Sequence, residues 1–118
     1  MSRQVTGQLA EQDARAYLEQ QGLTWLESNF RCLQGEIDLI MRDQEALVFV
    51  EVRYRSDPNF GQSIETISRQ KQNRLIKAAE HYLLKKHWVD QYPCRFDVIG
   101  LSADGETNWI QNAFEVKY

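Results

Sequence analysis

Apolar residues recur at helical spacing in two stretches of the chain. Over residues 8–21 they form a stripe that Gly22 ends, which predicts a first helix. Ser68 is a suitable N-cap for a second helix that runs to about His87. The core stripe of this second helix consists of Leu75, Ala79, Tyr82 and Leu83.

Outside these helices the apolar pattern changes to the alternation that is typical of strands. Three strands are predicted between the helices and one or two after them, over residues 23–30, 36–42, 47–55, 94–101 and 107–116. The predicted order is therefore α-β-β-β-α-β-β. This order indicates one α/β domain, residues 1–118, with a central mixed sheet of four or five strands flanked by two main helices.

The hairpin formed by the second and third strands has a predictable register. A tight turn centred on residues 44 and 45 places an apolar side chain opposite each apolar position of the second strand. The expected pairs are Ile37 with Val52, Leu39 with Val50, and Met41 with Val48. This face of the hairpin is expected to be wholly apolar.

The opposite face of the same hairpin carries two acidic residues. The predicted register sets Asp38 directly opposite Glu51, whereas a turn of odd length would remove this pairing. Like charges that face each other across a sheet destabilise it, so the pair requires a compensating cation. Three sources remain open: Arg53, a lysine from elsewhere, or a metal ion.

The composition fits one folded domain. Of the 118 residues, 42% are hydrophobic and 26% are charged, so the chain can bury one core but is too short for two independent domains. Residues 1–30 contain neither a signal-peptide core nor a membrane span, so the cytoplasm is the expected compartment and no membrane partner is expected. Cys32 and Cys94 lack zinc-site spacing and are expected to be reduced thiols.

The distribution of charge bears on nucleic-acid binding. A net charge of -3 argues against binding by bulk electrostatics. Residues 51–86, however, carry eight basic side chains against four acidic ones. A local basic face and an ordinary solvated helix surface both fit this pattern.

Asp38 and the segment 51–53 contain the residue types that phosphodiester hydrolysis requires. A divalent cation neutralises charge on the scissile phosphate and lowers the pKa of an attacking water. Mg²⁺ prefers oxygen ligands, which Asp38 and Glu51 can provide from adjacent strands. Arg53, two positions after Glu51, points to the same side and can bring positive charge to the water or the phosphate.

A longer set of motifs resembles a known family. Asp38 with residues 51–53 resembles the PD-(D/E)XK nuclease signature, with its last position substituted. The wider match covers nearly the whole chain and is strongest over residues 35–40, 47–55, 60–61 and 95–98, with Lys71. These strings closely resemble the bacterial YraN family, which is largely uncharacterised and whose fold is similar to that of archaeal Holliday-junction resolvases. The resemblance implies a restriction-endonuclease-like fold and a site for Mg²⁺ or Mn²⁺.

The resemblance also implies roles for individual residues. Asp38 and Glu51 match the metal ligands, and Glu11, at the edge of the buried stripe of the first helix, matches the helical carboxylate that completes the site. Arg53 stands where the wider superfamily has lysine. It can hold a phosphate but cannot act as a base near pH 7, because it stays protonated. Lys71, on the core side of the second helix, is the candidate to replace the missing ammonium group.

Two functions fit these residues and the family resemblance. The first is a Mg²⁺-dependent endonuclease that acts on DNA rather than RNA, including branched or structured DNA. The alternative is a catalytically weak or inactive nuclease-fold protein that binds nucleic acid or another partner, which Arg53 and the negative net charge favour. The small resolvase-like nucleases often act as dimers, so a homodimer is also an option. The expected nucleic-acid contacts are Arg53, Arg55, Arg69, Lys71 and Gln72.

Overall fold

The computed structural model describes residues 7–55 and 67–116, except for the side chain of Arg55, and has the predicted order of elements. This confirms the α/β class with two helices and a five-stranded sheet. The elements are α1 (Gly7–Gln20), β1 (Thr24–Cys32), β2 (Gly35–Asp43), β3 (Ala46–Arg55), α2 (Arg69–Lys86), β4 (Cys94–Ser102) and β5 (Thr107–Phe114). Within these described ranges, no helix is long and apolar enough to cross a membrane.

The sheet is mixed, as expected, and its strands lie in chain order from β1 to β5. The β1–β2, β2–β3 and β4–β5 pairs are antiparallel, and the central β3–β4 pair is parallel. Parallel neighbours need a crossover connection, and the chain segment that contains α2 provides it. Because α2 follows β3 directly in the chain, its beginning and the end of β3 can contribute to one site.

Each helix packs on one face of the sheet. Phe49 of β3 belongs to a buried cluster with Leu75 and Tyr82 of α2. Its neighbour Val50 belongs to a second buried cluster with Leu18 of α1. Successive side chains of a strand point to opposite faces, so α1 and α2 cover opposite faces. This double coverage explains why β3 is almost continuously apolar in sequence.

The register predicted for the β2–β3 hairpin is confirmed over its first part. The bridged pairs run from Asp43 with Ala46 at the turn to Leu39 with Val50. Gln44, in the turn itself, has a φ of +56°, as two-residue hairpin turns require.

The prediction of one wholly apolar face is wrong at one position. Leu39 and Met41 pack in the cluster that contains α1, but Ile37 packs in the cluster that contains α2. The alternation of β2 is therefore interrupted between Ile37 and Leu39. The interruption falls at Asp38, beyond the last bridged pair of this hairpin.

The start of α2 is fixed by the predicted N-cap. The Ser68 hydroxyl accepts a hydrogen bond from the backbone N–H of Lys71 at 3.1 Å. At its other end, His87 closes the helix in a left-handed conformation with a φ of 62°. The cap fixes the orientation of the first turn, where Lys71 lies.

Candidate functional site

Asp38 and Glu51 lie together where the β2–β3 ladder ends. The Asp38 carboxylate accepts a hydrogen bond from the backbone N–H of Val52 at 2.8 Å. The Glu51 carboxyl lies beside that of Asp38, close enough for each group to shift the pKa of the other. Asp38 is thus held against β3 by its side chain, and the structure brings the two predicted acidic residues together.

Burial makes this acidic pair electrostatically unfavourable. Glu51 is only 9% exposed. Burial first, and then the nearby charge of Asp38, raise the pKa of Glu51 to about 7, although Lys71 and Arg53 oppose the rise. The pKa of Asp38 is also raised, again mainly by burial. Near neutral pH, the site therefore lacks enough positive charge to hold both carboxylates ionised.

Lys71 is the cation in closest contact with the pair. Its Nζ lies 3.5 Å from Oε1 of Glu51. The Lys71 side chain is 38% exposed, so its ammonium group can also be reached from solvent. The position of Lys71 follows from the Ser68 cap, which places the first turn of α2 above the end of β3.

Glu11 lies at the periphery of the same site. Burial raises its pKa, a hydrogen bond from the Asn29 side chain lowers it, and the charge of Asp38 raises it further. Glu11 is therefore close enough to Asp38 for their charges to interact. Within residues 7–55 and 67–116, however, no three His, Cys, Asp or Glu side chains form a group that could hold a metal ion. The described carboxylate pair is Asp38 with Glu51, and Glu11 lies beside it.

The other predicted nucleic-acid contacts differ in their relation to the site. The positive charge of Arg53 acts on Glu51. Arg69 is exposed at the first position of α2. The Gln72 side chain turns back to donate a hydrogen bond to the carbonyl of Ile67 at 2.8 Å, which supports the helix start. The side chain of Arg55 lies outside the described part of the chain.

Asp97 has a structural role. It is 1% exposed and accepts hydrogen bonds from Arg95 at 3.1 Å and from the indole N–H of Trp109 at 2.9 Å. The backbone N–H of Asn112 also donates to it at 2.9 Å. These donors satisfy the carboxylate, so Asp97 belongs to the fold and not to the acidic pair.

Sequence reasoning missed Asn29. This residue has a φ of +55° within β1, and its side chain lies close enough to Glu11 to lower the pKa of that carboxyl. A signal was present in the sequence, because asparagine is depleted in strands and enriched at left-handed positions. Its partner on α1 comes from tertiary packing and could not be inferred locally.

The donor set of the site fits a hard divalent cation. Asp38 and Glu51 supply carboxylate oxygens, which Mg²⁺ and Mn²⁺ prefer. The raised pKa values of both groups mean that a bound cation would relieve an existing imbalance of charge. Water or a phosphate would have to complete the coordination.

The fold and this site define an α/β protein with a mixed sheet and, at the end of its central hairpin, an acidic pair of which Glu51 is buried and Asp38 half-buried. The chain belongs to the uncharacterised protein family UPF0102, whose model matches residues 10–101. UPF0102 and YraN are two names for the same family, so the resemblance seen in the sequence motifs is confirmed.

Relatives of this family match almost the whole chain. A UPF0102 protein of Coxiella burnetii (strain RSA 331 / Henzerling II) is 51% identical over 115 residues, which cover 98% of this chain and 96% of the relative. A UPF0102 protein of Alcanivorax borkumensis is 47% identical, with 96% and 94% covered. A third, from Janthinobacterium sp. (strain Marseille), is 52% identical, with 97% and 90% covered.

Proposed function

We propose that this protein is a metal-dependent endonuclease of the restriction-endonuclease-like class, acting on the backbone of nucleic acid, with DNA as the preferred substrate. The observation that carries the proposal is the close approach of two carboxyl groups, that of half-buried Asp38 and that of buried Glu51, with the Lys71 ammonium group 3.5 Å from the carboxylate of Glu51. Paired carboxylates with an adjacent cation are the arrangement that metal-assisted phosphodiester hydrolysis uses. Such an enzyme is expected in the cytoplasm.

The residues have distinct tasks in this proposal. Asp38 and Glu51 would hold Mg²⁺ or Mn²⁺, which when bound supplies charge neutralisation at the phosphate and a more acidic water. Glu51 has a pKa of about 7, so it loses its proton as its carboxylate becomes a ligand. Arg53 and Lys71 bind phosphate oxygens and stabilise the negative charge that develops there. Glu11, beside Asp38, orients a water through its carboxylate.

The test of this proposal is cleavage of a substrate panel. Duplex, single-stranded, flap and four-way-junction DNA, together with structured RNA, are incubated with Mg²⁺ or Mn²⁺. We expect cleavage of at least one DNA substrate by the wild type and a loss of at least about 100-fold in Asp38→Asn and Glu51→Gln. Glu45→Gln is the matched control, because Glu45 is exposed in the turn at the other end of the same hairpin. Cleavage that survives in Glu51→Gln would contradict the proposal.

A second function is favoured by a specific observation, the arginine at position 53. Arginine near Glu51 can grip a phosphate but cannot take a proton at neutral pH. A nuclease-fold protein that binds nucleic acid with little or no turnover would fit this residue. Binding of the DNA panel by the wild type without cleavage in either metal, and weaker binding by Arg53→Ala, would favour this second function.

A further inference from the structure

Asn29 has an unusual backbone conformation for a residue in the middle of a strand. Its φ of +55° lies in the left-handed region. Gln44 and His87 share this conformation, but they lie in a hairpin turn and at a helix end, where it is common. Most residues with a side chain are strained at such angles, and asparagine tolerates them best. Asn29 lies neither in a turn nor at a helix end, so its left-handed conformation requires another explanation.

The β1–β2 ribbon changes face at Asn29. The pair Phe30 with Ile37 packs in the cluster that contains α2. Leu39, which belongs to the neighbouring pair, packs in the cluster that contains α1. Asn29 and Asp38 lie opposite each other between these pairs, at the point of inversion.

This inversion coincides with the unusual direction of the Asp38 side chain. In a regular strand, side chains stand roughly perpendicular to the sheet. The Asp38 carboxylate instead reaches along the sheet to the N–H of Val52 in β3 and lies beside the carboxyl of Glu51. The left-handed backbone at Asn29 therefore lies directly across the ribbon from the displaced Asp38 side chain that forms the acidic pair.

The side chain of Asn29 makes a separate contribution. Its amide lies close enough to the carboxylate of Glu11 to lower the pKa of that group, and α1 brings Glu11 to the edge of the site. Glu11 is in turn close enough to Asp38 for their charges to interact. Asn29 is thus linked to two carboxylates. It is linked to Asp38 through the backbone of the β1–β2 ribbon and to Glu11 through its own side-chain amide.

We infer that Asn29 is a positioning residue of the metal centre, which it shapes in two separable ways. Its left-handed backbone directs the Asp38 carboxylate towards Glu51, and its amide holds Glu11 beside Asp38. The inference rests on the proposed function, because it concerns how the same site is organised. Outer-shell residues of this kind commonly change metal affinity by about 10–100-fold when they are replaced.

The test is a set of Mn²⁺ affinities measured by titration calorimetry. Asn29→Gly keeps the left-handed angle but removes the amide, so it should weaken binding about as much as Glu11→Ala, roughly tenfold. The double variant, Asn29→Gly with Glu11→Ala, should bind no more weakly than the weaker single variant, because each change alone removes the interaction between the Asn29 amide and the Glu11 carboxylate. Asn29→Ala should bind more weakly than Asn29→Gly, because alanine also disfavours the backbone angle.

Asn112 provides the matched control. It is also an asparagine in a strand, with a φ of +51°, but it lies in β5 and its backbone N–H is bonded to Asp97. Asn112→Ala should lower the melting temperature and leave Mn²⁺ affinity unchanged. If Asn29→Ala does not fold, Asn29→Ser takes its place as the variant that disfavours the left-handed angle, and Asn29→Gly with the double variant tests the amide.

The possible failures are distinguishable. If the wild type binds Mn²⁺ and both Asn29 variants bind it within about twofold of the wild type, the inference is overturned while the metal centre stands. Additive losses in the double variant would overturn the role of the amide. A wild type that does not bind Mn²⁺ would overturn the metal centre and this inference together.

Discussion

At the scale of single residues, Glu51 is held in the fold at an electrostatic cost. Its pKa rises from 4.5 to about 7, mainly because it is buried. Between these two values, the folded state binds the proton more tightly than the unfolded state does. The contribution of Glu51 to the free energy of unfolding therefore falls as the pH rises through this window, and the loss is complete above about 7. Buried carboxyl groups with a strongly raised pKa are typical of functional sites.

Replacing Glu51 by glutamine should therefore stabilise the protein in the absence of metal. Glutamine resembles the neutral acid, so Glu51→Gln should raise the free energy of unfolding by ~2 kcal/mol at about pH 8 and by much less at about pH 5. Urea denaturation at the two pH values, with a chelator present, measures the difference. Glu45→Gln should show no such pH-dependent gain. If Glu51→Gln is less stable than the wild type at the higher pH, the ionised Glu51 carboxylate does not destabilise the fold.

The same ionisation should govern metal binding. Glu51 must release its proton to become a ligand, so Mn²⁺ affinity should rise with pH up to about 7 and then level off. Below that value the slope should approach about tenfold per pH unit, with release of a proton on binding. Calorimetry in buffers of different ionisation enthalpy measures both quantities. An affinity that does not change with pH would show that the metal does not bind through Glu51.

At the scale of elements, the close approach of β2 to α2 places Lys71 near the acidic pair. A Cβ atom at Gly35 would lie 3.0 Å from the backbone carbonyl oxygen of Arg74. The first strand residue of β2 and the second turn of α2 are therefore in near-direct backbone contact. Lys71 lies one turn before Arg74, so this contact also controls the distance between Lys71 and Glu51.

A methyl group at Gly35 should push α2 away from the sheet. Gly35→Ala should lower the free energy of unfolding by about 1–3 kcal/mol, as overpacking against rigid backbone does. It should also reduce affinity for DNA, because Lys71 moves with the helix. Gly7→Ala is the comparison, since nothing lies within 4 Å of a Cβ atom there. The free energy of unfolding and the affinity for DNA are measured for both variants. If the two variants do not differ in either quantity, the close approach of β2 to α2 does not depend on Gly35.

At the scale of the whole molecule, a cluster of charges around the buried Asp97 holds together one end of the sheet. Arg95 of β4 bonds both to Asp97 and, at 3.0 Å, to Asp43 at the end of β2. Asp97 also accepts the indole N–H of Trp109 from β5. β2, β4 and β5 are therefore joined through Arg95 and the Asp97 carboxylate, at the end of β2 next to the hairpin turn.

Removal of this carboxylate should affect stability without affecting the site. Asp97→Ala leaves the Trp109 indole and the backbone N–H of Asn112 without their acceptor and leaves Arg95 with Asp43 alone, so it should cost about 3–5 kcal/mol of the free energy of unfolding. The fraction that remains folded should bind Mn²⁺ with wild-type affinity. Glu45, an exposed acid in the β2–β3 turn, is the control, and Glu45→Ala should change stability by about 0.5 kcal/mol or less. Equal destabilisation by the two changes would contradict the structural role of Asp97.

The sequence determined the features that depend on neighbours along the chain. The periods of the apolar residues predicted two helices and five strands in the observed order, and Ser68 predicted the start of α2. The short turn after Asp43 predicted the register of β2 with β3, because a two-residue connection allows few pairings. It also predicted that Asp38 and Glu51 would meet, since both lie a few residues along the same hairpin.

Only the tertiary structure decided how these two residues meet and what surrounds them. The inversion at Asn29 and the reach of Asp38 to Val52 depend on two helices that pack on opposite faces of one sheet. The contact of Lys71 with Glu51 likewise requires α2 to lie across the end of β3. Local periodicity carries no information about such contacts, because they join segments far apart in the chain and are fixed by the packing of the assembled core.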